Sequence, residues 1–235
     1  MKIGVFADPH YCSRDVLCRT RRPRLSYGKV RQVMEAFRQA GTDCVVCMGD
    51  LTDREDTHEA ELARLAEITA LIRSFGMPVY LIPGNHDYAS FSAAELEKVG
   101  GFRIPPYTVD FPAVRWIVLD ANYRADYRRF DVAGVDWKDS NLPPAQVEFL
   151  RDALTETRLP CVVLVHENLN PGVRADHVIR NAAEVRELLE ASGKVKLVLQ
   201  GHYHPGAEAV VSGIPYLTVP ALCEGAAVPC RILEI

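Results

Sequence analysis

The chain has 235 residues, and 48% hydrophobic content is enough for a substantial core, with one domain spanning 1–235 as the expectation. Its 27 basic and 31 acidic residues leave a formal charge of −4, so no broad field attracts nucleic acid or an anionic membrane, although a local site can still oppose that sign for a small anionic substrate. No apolar run reaches the about 18 residues of a membrane span, and the opening MKIGVFADPH lacks the basic leader, long apolar core and cleavage site of a signal peptide.

Seven cysteines, an odd number without a disulfide rhythm, point to a reduced, cytoplasmic setting. Cys44 and Cys47 form a CxxC, but the surrounding DCVVCMGD reads as a strand. Positions three apart in a strand face opposite sides, so these two thiols are expected to pack rather than chelate together.

In chain order, KIGVFA (2–7) is a short buried strand ending at Asp8. An arginine-rich segment follows, then a helical pattern with Val30, Val33, Met34 and Phe37 on one side, closed by Gly41. CVVCM (44–48) is a second strand ending at Gly49-Asp50. A helix carrying Leu62, Leu65, Ile68, Ile72 and Phe75 leads to the strand PVYLI (78–82). This alternation predicts right-handed crossovers and a partly parallel sheet. YTVDF (107–111) and VRWIVLD (114–120) read as an antiparallel pair. The segment from 121 to 141 is long for a plain connection and reads as a functional loop. A helix then starts at Pro143-Pro144, and CVVLV (161–165) is another buried strand, ending at His166-Glu167-Asn168. Asn181 and Glu184 stand at capping-box spacing before a helix that stops near Gly193. KVKLVLQ (194–200) runs into GHYH, EAVVSGIPYLTVP supplies two strands around a Ser-Gly turn, and CRILEI a last strand. Two mixed sheets packed together with helices outside are the expected architecture.

Five apolar strands thus end in polar groups: Asp8 and His10; Asp50; Asn85 and His86; His166; and His202 with His204. Carboxyl ends of parallel strands gather at one sheet edge, where ligands bind. Aspartate, asparagine and imidazole donors suit Mn²⁺, Fe²⁺, Zn²⁺, Co²⁺ or Ni²⁺. The donors exceed what one ion needs, which argues for two ions sharing a carboxylate, with Asp50 at its tight Gly-Asp turn as the bridge. Each histidine alone is more often a hydrogen-bonded loop residue; it is the repetition at equivalent positions that points to a metal site.

Taken in order, DPH (8–10), GDLTD (49–53), GNHD (84–87), VHE (165–167) and GHYH (201–204) resemble the signature of the calcineurin-like metallophosphoesterase superfamily. The resemblance implies a four-layer α/β sandwich of two mixed β-sheets flanked by helices, and two divalent metal ions, with Mn or Fe favoured over Zn, Co or Ni. It implies Asp8, His10 and His204 as ligands of one ion and Asn85, His166 and His202 of the other, with Asp50 shared. His86 becomes the group facing substrate, as orienting residue or general acid, and Asp87 the partner that holds the His86 tautomer. Asp53 is expected to fix its loop.

The activity expected from this resemblance is hydrolysis of phosphodiester or phosphoanhydride bonds in small, nucleotide-derived substrates. Parts of the chain resemble the cyclic-nucleotide phosphodiesterase branch, and the tail GHYHPGAEAVVSGIPYLTVPALCEG resembles the manganese-dependent ADP-ribose/CDP-alcohol diphosphatase branch. Substrate-binding candidates are Arg21 and Arg22, in the basic segment 13–29 that could form a lid, and Tyr123, Arg124, Tyr127 and Arg128 in the long loop. The competing functions are a phosphomonoesterase or protein phosphatase, a nuclease, and a metal-free binding or scaffold protein on the same fold.

Overall fold

A computed structural model of the chain describes residues 1–132 and 136–235; part of the loop read between 121 and 141 therefore lies outside the described residues. Strands β1 (Lys2–Phe6), β2 (Cys44–Cys47), β3 (Val79–Leu81) and β10 (Arg231–Glu234) form one sheet in the order β10-β1-β2-β3. The second sheet has the order β4-β5-β6-β7-β9-β8, built from β4 (Tyr107–Asp110), β5 (Arg115–Val118), β6 (Cys161–Leu164), β7 (Val195–Gln200), β8 (Ala207–Val211) and β9 (Ile214–Thr218). Parallel pairing joins β1, β2 and β3, and also β5, β6, β7 and β9, while β10, β4 and β8 pair antiparallel.

The near-continuous apolar strands are explained by burial on both faces. Along β2, Cys44 and Val46 enter the core between the sheets, whereas Val45 and Cys47 enter the core under the helices, so the two thiols do face apart. Val162 and Leu164 of β6 likewise meet Ile3, Val5 and Trp116 between the sheets, while Val163 packs outward with Leu150, Val185 and Leu189. Helices α1 (Ser26–Ala40) and α2 (His58–Arg73) cover the first sheet, and α5 (Pro144–Glu156) and α6 (Ala182–Ser192) cover the second. The result is the expected layering of helix, sheet, sheet and helix.

Two short helices, α3 (Asn85–Ser90) and α4 (Ala93–Glu95, continued by a π turn at Leu96–Gly100), went unread from periodicity because neither is long enough to show a repeat. Asn181 stands at the N-cap of α6, where its spacing from Glu184 places the helix start, but the cap bond itself is not made. Its side chain instead accepts from Leu142 N and donates to Leu142 O, which ties α6 to the start of α5.

Candidate metal centre

The loops that follow β1, β2, β3, β6 and β7 meet at one edge, and their backbones are bonded to one another. Asp8 N donates to Gly49 O, His10 N to Asp50 O, and Gly201 N to His166 O. Asp8, His10, Asp50 and His202 all adopt left-handed backbone, with φ of 51°, 47°, 52° and 67°. Aspartate and histidine tolerate this region better than most side chains, and strain of this kind concentrates at functional sites. Close approach also demands glycine: a Cβ on Gly49 would fall on the His166 ring, and one on Gly84 on Asp50 Oδ1.

Asp50 lies at the centre. Its Oδ1 accepts the backbone N–H of His86 at 2.8 Å. Its Oδ2 stands 3.4 Å from His10 Nε2 on one side and 3.5 Å from His166 Nε2 on the other. On the His10 side, His204 Nε2 is 3.2 Å from His10 Nε2, and Asp8 Oδ1 is 3.9 Å and 3.8 Å from those two nitrogens. On the His166 side, His202 Nδ1 stands 3.0 Å from Asn85 Oδ1. The structure therefore brings together all seven expected donors, in two groups with Asp50 between them.

Partners outside the centre fix which ring nitrogen points inward. His166 Nδ1 donates to Met48 O at 2.6 Å, and His204 Nδ1 to Glu224 Oε1 at 2.7 Å. His10 Nδ1 faces Asp53 Oδ2 at 3.2 Å. Each bond aims Nε2 at the centre. Burial, with Arg21 and His86 nearby, lowers the His10 pKa to about 3, and burial beside His166 pushes His202 far down, so both rings stay neutral. Burial opposes ionisation of Asp50, but His166 and His86 outweigh it and hold the carboxyl well below its ordinary range.

The donors fit divalent cations. The Nε2 atoms of His166 and His202 are buried without a hydrogen-bond partner, a costly arrangement for polar atoms unless something else occupies their lone pairs. Asp50, His166 and His202 each present one ligand atom, all within 4.8 Å of one another, and His10, Asp50 and His86 do the same. Hard carboxylate and amide oxygens mixed with imidazole match first-row divalent ions.

Two expected roles change. Asp87 does not touch the His86 ring: its buried carboxylate accepts the backbone N–H groups of Asp50, Leu51 and Gly84 at 3.0, 3.0 and 2.8 Å, clamping the Asp50 loop to the start of α3. The residue that holds His86 is Asp53, whose Oδ1 is 3.3 Å from His86 Nδ1 while Oδ2 meets His10 and Arg21 Nη1. The reason is geometric: Asp87 lies one position along α3 from His86 and points into the turn beneath it. Burial alone would raise the Asp53 pKa, but its bonds to His10 and His86 hold it far below the usual range. Burial would lower the His86 pKa, and Asp50 and Asp53 outweigh it and raise it.

A cavity of about 460 Å³ opens over the centre. Arg21 lines it, with Nη1 3.5 Å from His86 Nε2. Arg22 does not, because its guanidinium turns back to the Arg19 and Arg21 carbonyls. The segment holding both is a strapped wall rather than a free lid: Arg22 N donates to Cys223 O and Gly225 N to Thr20 O, and Lys29 Nζ donates to the carbonyls of Leu222, Glu224 and Gly225. Tyr123, Arg124, Tyr127 and Arg128 are absent from the cavity wall. Tyr123 is engaged by Arg129, Arg124 meets Asp131, and Arg128 pairs with Asp126 on the surface beside the half-exposed Tyr127. The long loop contributes Trp137 instead, and the 171–180 region contributes Arg174 and His177. Sequence reasoning missed these three and the Glu224 contact, since none sits in a strand-end motif.

A sandwich of two sheets with this donor pocket at one edge defines a metallophosphoesterase. The chain belongs to the calcineurin-like phosphoesterase family, a family of phosphoric ester hydrolases, whose model matches residues 1–206. It is 30% identical over 197 residues to the 3′,5′-cyclic adenosine monophosphate phosphodiesterase CpdA of Escherichia coli, covering 81% of this chain. It is 28% identical over 198 residues to CpdA of Haemophilus influenzae, covering 82% of this chain. The match spans 66% of the length of each of these curated relatives. Among solved structures, a dimetal phosphatase from Danio rerio superimposes with a TM-score of 0.83 at 19% identity, covering 98% of this chain and 91% of that one, a likeness of fold.

Proposed function

We propose that the chain is a binuclear, divalent-metal-dependent hydrolase of phosphodiester or phosphoanhydride bonds in small, nucleotide-derived substrates, with Mn²⁺ or Fe²⁺ as the favoured ions. The observation that carries it is Asp50 Oδ2 between His10 Nε2 and His166 Nε2, at 3.4 and 3.5 Å, with further donors on both sides. Asp8, His10 and His204 would hold one ion, Asn85, His166 and His202 the other, and Asp50 both. Such ions offset phosphate charge and lower the pKa of an attacking water.

The protein's own contribution is orientation and proton handling. Met48 O, Glu224 and Asp53 set the tautomers of His166, His204 and His10. His86 presents Nε2 to the cavity, with Nδ1 toward Asp53, and acts as the group that donates a proton to the leaving oxygen or stabilises the phosphoryl oxygens. Arg21, anchored by Asp53, supplies a fixed positive charge beside it. The cyclic AMP phosphodiesterases among the relatives favour a nucleotide diester as the first substrate to try. Seven free cysteines agree with a reducing, cytoplasmic setting as part of the same proposal. Among the described residues, no helix is long and apolar enough to cross a membrane.

The test couples elemental analysis to hydrolysis of cyclic AMP, ADP-ribose, CDP-glycerol, a simple diester and a monoester. Wild-type protein is expected to carry two ions and turn over a diester or anhydride; Asp50→Asn is expected to lose both ions and activity together. A folded, metal-free protein inert after reconstitution with Mn²⁺, Fe²⁺, Zn²⁺ and Ni²⁺ would return the scaffold alternative, and preference for the monoester would overturn the substrate class.

A further inference from the structure

The side of the cavity next to His202 has a chemistry unlike the rest. Trp137 and His177 line it, with ring centroids 4.7 Å apart at 53°, and the indole is 5.7 Å from the His202 ring. His177 in turn packs 5.2 Å from His202 and 5.1 Å from Tyr203.

The aromatic pair is held in place. Trp137 sits in a tight turn where Lys138 N donates to Asp136 Oδ1 and Asp139 N to Asp136 O. The next residues fasten that turn to the start of α6: Asp139 Oδ1 pairs with Arg180 Nε at 2.6 Å, and Arg180 N donates to Ser140 O. On the His177 side, Asp176 accepts from His177 Nδ1 and from Arg174 Nη2. Two cations accompany the rings: Arg174, paired with Asp176, lines the cavity, and Lys138 Nζ lies over the indole ring, 5.2 Å from its centroid. A tryptophan left partly open at a cavity mouth forgoes burial that a core position would give it, and aromatic faces recover that energy by stacking on planar ligands.

We propose that Trp137, backed by His177, is a stacking wall that selects phosphate esters bearing a planar aromatic group, a nucleobase foremost, over aliphatic ones. This rests on the hydrolase reading above and names the part of the substrate which that reading leaves open. Ions held by the metal donors would bind the phosphate end; the wall beside His202 takes the ring. The bordering cations favour the anionic groups that accompany a nucleobase.

The chain has two tryptophans, and the other, Trp116, is fully buried between the sheets, so a ligand-dependent change in emission reports on Trp137. Mn²⁺-loaded protein is titrated with AMP and with ribose 5-phosphate, following fluorescence and heat. AMP is expected to quench the wild type and bind about tenfold more tightly than ribose 5-phosphate, which leaves emission unchanged. Trp137→Ala is expected to weaken AMP by about tenfold and ribose 5-phosphate by less than about twofold, whereas Trp137→Phe keeps AMP within about threefold without the signal. Equal affinity of wild-type protein for the two ligands, or equal weakening of both by Trp137→Ala, overturns the proposal. Turnover of the substrate panel is scored separately: AMP preference without turnover sinks only the hydrolase reading, and turnover without AMP preference sinks only the stacking wall.

Discussion

Two aspartates three positions apart do different work around Asp50. Asp50 offers one oxygen to a backbone amide and keeps the other between two imidazoles. Asp53 touches no expected ligand atom, yet reaches His10, His86 and Arg21 at once. Outer partners of this kind typically shift metal affinity or activity about 10–100-fold. Asp53→Asn is therefore expected to lower kcat/KM by about that factor with the fold intact, checked by steady-state kinetics beside a circular dichroism spectrum. His86→Ala is expected to keep both ions while losing about 10²–10⁴ in turnover, the usual range for a proton-transfer group. Metal analysis of that variant decides its role, because ion loss would make His86 a ligand instead.

At the scale of elements, the site is a set of loop crossings that leave no room for side chains. At Gly84 a methyl group would collide with Asp50 Oδ1, and overpacking of this kind costs about 1–3 kcal/mol. Gly84→Ala is accordingly expected to lower Tm by roughly 2–12 °C for a chain of this size and to impair metal binding, both read in a thermal scan with and without added Mn²⁺. Away from the site, His58 ties the start of α2 to α4 through Glu95 at 2.7 Å. The Glu95 bond to His58 lowers the Glu95 pKa from 4.5 to about 2, and the same bond raises that of His58 above 6.5. The depressed Glu95 adds stability above pH 4.5 that is lost as pH falls toward 2; the raised His58 adds stability below pH 6.5 that is lost as pH rises through its folded value. Hydrogen exchange, corrected for intrinsic rates, should show residues 93–100 better protected at pH 5.5 than at pH 8, and His58→Ala should erase the difference. Because both side chains are partly exposed to solvent, the effect is expected to stay local and modest.

At the scale of the molecule, the core between the sheets is continuous with the platform of the site, since Met48, Ala7 and Val219 pack there directly beside the loops that carry Asp8, Asp50 and His202. We propose that 1–235 is one folding unit, for which heat should produce a single transition by calorimetry. Ions that bind only the folded chain raise its stability by mass action, about 2.7 kcal/mol at a hundredfold excess over Kd. Mn²⁺ should thus raise Tm and a chelator reverse it, while Asp50→Asn should respond to neither; a wild-type Tm indifferent to every divalent ion would remove the metal centre from the account.

Strand identity, helix periodicity and the chemistry of strand-end residues are local properties, so the order of the strands and long helices and the gathering of Asp8, His10, Asp50, Asn85, His166, His202 and His204 at strand ends were legible in the chain itself. Roles that depend on direction were not. Asp87 adjoins His86 in the sequence and Asp53 stands 33 residues before it, yet the fold turns Asp53 toward the ring and Asp87 toward three backbone amides. Tyr127 and Trp137 share one loop, yet the turn at Asp136 and the Arg180 tether bring only the second to the cavity. Composition and spacing determine which atoms are available; the crossing of loops between two packed sheets decides which of them meet, because side-chain direction depends on contacts between residues far apart in the chain.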